Sequence, residues 1–221
     1  MNEKTINKRQ MAEIISYTRT SLGFSLDLIM ESAAHALVSS LDLERRETFA
    51  FVCGFGFKAG IAFKAARILL AKGKKVYVFL ALAREKLADY KMDLDLIENL
   101  DGEIVELVTI EDLGDFPNKL NKVNTIIDAI MDIDYDDHFF GSFDYIIESI
   151  NRSRIYTISI DTPSGLDADS GAVNTACVQA DLIIAQQFLK EGIIKTNKLI
   201  GSKVLIQDIG LPKKAIEKVL K

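Results

Sequence analysis

The sequence is poor in the residues and runs that mark several large functional classes. It has two cysteines, Cys53 and Cys177, far apart and each among apolar neighbours. Neither has metal-ligand spacing, so two buried reduced thiols are expected rather than a disulfide or a metal site. The two histidines, His35 and His138, have no Ser or Cys partner legible in the pattern, so no catalytic triad is assigned. His35 lies among alanines on a helix and is expected to pack; His138, beside Asp136 and Asp137, reads as a solvated loop residue. No apolar run reaches the roughly 18 residues of a membrane helix. The polar stretch Met1–Gln10 has no signal-peptide core, so a cytoplasmic protein with no membrane partner is expected. The formal net charge of -5 comes without a basic cluster, which argues against a nucleic-acid footprint. No linker, repeat or low-complexity stretch divides the chain, and residues 1–221 are expected to form a single domain.

With 48% hydrophobic residues, the chain can build a full core. Apolar runs predict strands at Phe49–Cys53, Lys75–Leu80, Ile104–Thr109, Thr125–Met131, Ile155–Ile160, Leu182–Ala185 and Lys203–Gln207. Helices are predicted at Asn7–Tyr17, Leu26–Leu41 with Ser25 as N-cap, Ile61–Ala71 ended by Gly73, Arg84–Leu100, Phe143–Ile150 and Pro212–Leu220. Strands separated by helices of this length imply βαβ units. The fold expected is a three-layer, Rossmann-like α/β arrangement, with a central mostly parallel sheet and helices on both faces. Ligands in such sheets bind beyond the C-terminal strand ends.

Three loops fall there. The first contains Gly54, Gly56 and Gly60 with Phe57 and Lys58 between; glycines allow a tight turn, and the next helix offers free N–H groups to an anion. It lacks the full GxGxxG spacing, and a plain strand-to-helix turn explains it about as well. The second runs from Asp128 through Asp132, Asp134, Asp136 and Asp137. Its alternation fails as a calcium loop, because Asp137 replaces the glycine and Phe143 the bidentate Glu. It reads better as a solvated acidic loop. Asp128 differs, being a carboxylate inside an apolar strand pattern that needs a partner or a role. The third is Asp161-Thr162-Pro163-Ser164-Gly165-Leu166, where Asp161 ends an apolar strand and can either cap the turn or act as a general acid or base.

This third loop, with Gly171 downstream, resembles the D-x-PSG-L…G signature of the NAD(P)HX epimerase family (the YjeF N-terminal domain). Other segments follow in the family's order: Leu28-Ile29-Met30-Glu31-Ser32-Ala33, Gly54-Phe55-Gly56, Ala65-Ala66-Arg67, Ile126-Ile127-Asp128-Ala129, Ala180-Asp181, Lys190-Glu191-Gly192 and Asp208-Ile209-Gly210-Leu211-Pro212. The resemblance spans nearly the whole chain. It implies interconversion of the two epimers of hydrated NADH or NADPH, so that a separate dehydratase can repair the pool. It also implies Asp161 as the acid/base, a homodimer, and a potassium ion whose ligands match Lys58, Asp128 and Ser164; the N-terminal helices are the expected dimer surface because their apolar small-residue faces need cover.

The sequence departs from the family at two loops. The family's GxGNNGGDG is here GFGFKAGIA, and its FGTG is Met131-Asp132-Ile133-Asp134. Carboxylates at Asp132 and Asp134 would repel a pyrophosphate, by about 4 kcal/mol for unit charges about 4 Å apart at an effective dielectric of 20. Two function classes follow. One is an epimerase, or a relative acting on a nucleotide-like small molecule, with Gly54, Gly56, Phe57, Lys58, Gly60, Asp132 and Asp134 at the substrate. The other is an inactive or altered-specificity nucleotide-binding or scaffold domain of the same fold. Lys58 is expected to pair with Asp128 and Ser164, its ammonium replacing the potassium ion.

Overall fold

Alternation along single strands sorts the core into two layers. In Thr48–Cys53, Phe49, Phe51 and Cys53 point into one layer and Ala50 and Val52 into the other. A strand buried on both faces needs cover on both, and the computed structural model supplies it. The structure describes residues 5–132, 142–173, 175–196 and 201–221.

In chain order the elements begin with β1 (Thr5–Ile6), α1 (Lys8–Thr20), α2 (Leu26–Ser39), β2 (Thr48–Cys53), α3 (Phe57–Ala71) and β3 (Lys75–Leu80). A 3-10 turn at Arg84–Tyr90 leads into α4 (Lys91–Asn99), then β4 (Glu103–Glu106), α5 (Ile110–Leu120), β5 (Thr125–Ala129) and α6 (Ser142–Ser153). The chain closes with β6 (Thr157–Ile160), β7 (Leu182–Gln186), β8 (Leu189–Lys190), α7 (Glu191–Lys195), β9 (Lys203–Gln207) and α8 (Lys213–Leu220). Seven strands form one sheet in the order β4-β3-β2-β5-β6-β7-β9, every neighbouring pair parallel. Residues of α1, α2, α3, α4 and α8 cover one face, and those of α5 and α6 the other. The expected three-layer Rossmann-like α/β fold is the one observed.

Local chemistry explains most boundaries. Asn7, expected as the first helical residue, instead caps α1 through a reciprocal box with Gln10, while Ser25 caps α2 as expected, by accepting from Leu28 N. Gly73, at φ 78°, ends α3. Ala33 and Ala34 of α2 are fully buried, and the small faces of α2 and α3 pack closely.

Several expectations need correction. Helix α3 starts at Phe57, not Ile61, so Phe57–Gly60 form its first turn rather than a loop. The Arg84–Leu100 segment is two pieces, since Leu87 (φ -108°, ψ 28°) breaks the helical path. The strand expected at Ile104–Thr109 stops at Glu106, because Thr109 leaves it to cap α5 in a box with Asp112. Helix α5 itself was not expected: Gly114 and Pro117 interrupt its pattern. Pro212 precedes α8 rather than opening it. His35 does not pack; it is exposed, 3.3 Å from Glu31. Both cysteines are free and buried, as expected.

Candidate functional site

The strand order reverses between β2 and β5, which opens a crevice beyond their C-terminal ends. Gly54 follows β2 and donates its N–H to Ala129 O at 2.9 Å. A Cβ there would stand 2.0 Å from the Ile130 carbonyl oxygen, so the close backbone approach demands glycine. Gly56 (φ 85°) is the N-cap of α3. The first amides of that helix face the loop after β5, and Lys58 N donates to Asp132 Oδ2 at 3.1 Å. A carboxylate of the chain itself therefore sits where a helix start favours an anion. Gly60 turns away from this loop: a Cβ on it would meet Met30 Sδ at 2.3 Å and the Tyr90 ring at 2.8 Å. Tyr90 donates its hydroxyl to Gly56 O at 2.8 Å. Burial, and then the negative charge of Asp132, pushes its phenol up to about 12.

Below these loops lies a polar cluster with almost no solvent. Asp128, at the end of β5, is fully buried. Its carboxylate accepts from Ser159 Oγ at 2.7 Å, Ser164 N at 2.9 Å and Ile130 N at 3.3 Å, and from the Ser164 hydroxyl. Ser164 Oγ in turn accepts from Met131 N at 2.9 Å. Lys58, 3% exposed, extends its ammonium into this cluster. It lies 2.7 Å from Thr162 O, 3.2 Å from Ser164 Oγ, 3.3 Å from Met131 O and 3.6 Å from Asp128 Oδ2. These oxygens form a donor set that suits a hard cation. Their common centre is filled by the lysine nitrogen, so a potassium ion does not fit beside it. Among the described residues, no group of three or more His, Cys, Asp or Glu could hold a metal.

Asp161 directly follows β6, with φ 63°, an uncommon conformation for a non-glycine residue. It is held from several directions. Its N–H donates to Ile184 O at 2.8 Å, and its Oδ1 accepts from Gln186 N at 2.9 Å and from the Lys190 ammonium. Lys190 has no solvent exposure, and its other contacts are Phe188 O at 3.1 Å and Gln186 O at 3.3 Å. Strain of this kind costs about 1–3 kcal/mol and persists only where neighbours enforce it. Thr162 Oγ1, next to Asp161 in the chain, and Gln186 Oε1, whose residue donates its N–H to Asp161, are the two buried side-chain polar atoms without a hydrogen-bond partner among the described residues. A buried polar atom without a partner calls for an explanation, an unplaced water or ligand among them.

Asp161, Gln186, Lys58 and Asp132 line a narrow hollow roofed by Met11 and Ile15 of α1. It adjoins a wider cleft of about 360 Å³ that shares Met11, Ile15, Phe57 and Asp132 and adds Phe55, Gly56 and Arg19. The structure thus brings Gly56, Phe57, Lys58, Asp128, Asp132, Asp161 and Ser164 to one place. Gly54 shapes the turn without lining the cleft, and Gly60 serves helix packing. Asp134, Asp136, Asp137 and His138 lie outside the described residues. Sequence reasoning missed Lys190 and Gln186 as site residues, although Lys190 stands in a quoted motif. Their one advance signal was polar side chains on an otherwise apolar strand pair.

A family model described as the N-terminus of YjeF-related proteins matches residues 26–192. A protein named NAD(P)H-hydrate epimerase from Anaerococcus prevotii is 37% identical over 216 residues, covering 97% of this chain and 99% of that relative. One of the same name from Elusimicrobium minutum is 28% identical over 225 residues, covering 98% and 100%. A bifunctional NAD(P)H-hydrate repair enzyme from Moorella thermoacetica is 27% identical over 197 residues, 86% of this chain but 37% of the relative. Among solved structures, a yeast protein matches with a TM-score of 0.83 at 19% identity, covering 98% of this chain and 93% of that one, a likeness of fold.

Proposed function

The chain belongs to the family of YjeF-related N-terminal domains, and we propose from this premise that it is an NAD(P)H-hydrate epimerase, interconverting the two epimers of hydrated NADH or NADPH. The observation that carries the reading is Asp161: a carboxylate on a left-handed backbone position, lining the hollow, gripped by a buried ammonium and sharing that lining with the orphaned Oε1 of Gln186.

Epimerisation inverts one hydroxyl-bearing carbon and consumes nothing, so a proton taken in one step is returned in another. Asp161 is the group for that transfer, with Lys190 holding its carboxylate in place. Gln186, which lines the hollow, has Oε1 capacity left to hydrogen-bond the ligand. Phe55 and Phe57 supply flat apolar walls for a ring, with Gly56 admitting it closely. Asp128 and Ser164 stand at the family's cation position, which the Lys58 ammonium fills. A separate dehydratase acting on one epimer is the expected pathway partner, since relatives include bifunctional repair enzymes. A homodimer through the N-terminal helices and a cytoplasmic location belong to the same reading; no described helix is long and apolar enough to cross a membrane.

A second reading has one observation in its favour. Asp132 already fills the start of α3, which favours a nucleotide-like ligand that places no pyrophosphate there. The discriminating experiment follows an epimer-enriched sample of NADHX, and separately of NADPHX, by chromatography. Approach to the epimer equilibrium faster than the spontaneous rate supports the epimerase. A folded protein that leaves both substrates at the spontaneous rate sinks it and favours the altered-ligand domain.

A further inference from the structure

Lys58 is a lysine where a lysine is costly. Its side chain is 3% exposed, on the first turn of a helix, inside a cluster of oxygens. We propose that the Lys58 ammonium is the resident monovalent cation of this site, so that the protein neither binds nor needs a potassium ion there.

Three observations carry this. An ammonium has three protons to donate, and three acceptors stand within reach: Thr162 O at 2.7 Å, Ser164 Oγ at 3.2 Å and Met131 O at 3.3 Å. The single charge balances the single charge of Asp128, which is fully buried and 3.6 Å away. A second cation would leave two positive charges against one carboxylate in a region poor in water, an arrangement that burial penalises. Finally, the ammonium does what a bound ion would do mechanically. It ties the start of α3 to the loop after β5 through Met131, and to the turn after β6 through Thr162 and Ser164. That turn begins at Asp161, so the lysine helps fix the position of the acid/base. The acceptors are fixed by their own bonds, Ser164 to Asp128 and Met131 N to Ser164 Oγ at 2.9 Å. The cage therefore exists around the lysine without help from an ion.

The inference rests on the epimerase reading only for the suggestion that the site holds potassium. Its test reads ion binding and melting, which give the same answer whether or not epimerisation occurs. Wild-type protein is melted in tetramethylammonium chloride and in potassium chloride at equal ionic strength, and its crystals are soaked in rubidium. The expected results are equal melting temperatures and no anomalous peak between Asp128 and Ser164. A melting temperature that rises by several degrees specifically with potassium, or a rubidium peak in the cage, would overturn the proposal. A Lys58→Met variant is expected to melt well below the wild type, because Asp128 loses its counter-charge. A Lys58→Met protein that melts with the wild type would likewise overturn it. Should that variant not fold, the wild-type melting and soaking results decide alone.

Discussion

Lys190 has no solvent exposure, and its ammonium spends its protons on Asp161 and two backbone carbonyls. Removing one member of such a pair strands the other. Lys190→Met is therefore expected to lower unfolding free energy by about 3–5 kcal/mol, read as an earlier urea midpoint. Tyr90 gives a prediction in pH. Its folded value of about 12 lies above the ordinary tyrosine value, so the folded state holds the phenol proton more tightly. That contribution is complete below about pH 10 and disappears as pH climbs from about 10 to 12. In an ultraviolet titration, Tyr90→Phe should remove a late-ionising step. At this scale the sequence was informative where a polar residue broke an apolar run: Asp128 and Asp161 stood out in that way. The convergence of Lys58, Ser164 and Asp128 was also legible, through the family pattern. Lys190 was not, because its meaning depends on a partner 29 positions away.

At the scale of elements, α3 decides the shape of the site. Its start was read four residues late because Gly56 and Gly60 look like loop punctuation. Gly60 is instead a packing glycine, admitting Met30 and Tyr90. Gly60→Ala should cost about 1–3 kcal/mol by overpacking, since a flexible Met side chain can give way. Gly54→Ala should cost more, because its new Cβ would collide with the Ile130 carbonyl, which is backbone and follows directly on the central strand β5. Paired thermal melts that rank Gly60→Ala as the more damaging change would contradict this account of the crevice. Helix α5 shows the complementary difficulty. Its capping box was present in Thr109 and Asp112, but Gly114 and Pro117 hid the period, and tertiary packing of Phe116 and Leu120 outweighs them. The pairing of β1 with β8 was not legible, because two residues per strand carry no periodicity.

Over the whole molecule, the parallel sheet and its alternation of strands and helices followed from the spacing of apolar runs. The order of strands did not, yet it is what places Gly56, Asp132 and Asp161 around one crevice. The N-terminal segment completes that crevice. Helix α1 roofs the hollow, and Lys8 fastens its start to Asp167 at 2.8 Å and to Asp169 at 2.7 Å. Burial alone would raise the Asp167 carboxyl, but hydrogen bonds from Lys8 and Ser170 outweigh it and hold it well below the carboxylate range. A depressed carboxyl stabilises above its unfolded value of about 3.9 and loses that contribution as pH falls through its lower folded value. The pair is partly exposed, so the effect is small, about 1 kcal/mol or less.

The most direct test of the account compares wild type with Asp161→Asn in the interconversion of NADHX epimers. Conversion by the wild type is expected, with a loss of about 10²–10⁴-fold in the variant, measured below the earlier melt that a stranded Lys190 ammonium gives it. Equal rates in the two proteins, or a wild type no faster than the spontaneous reaction, would contradict it.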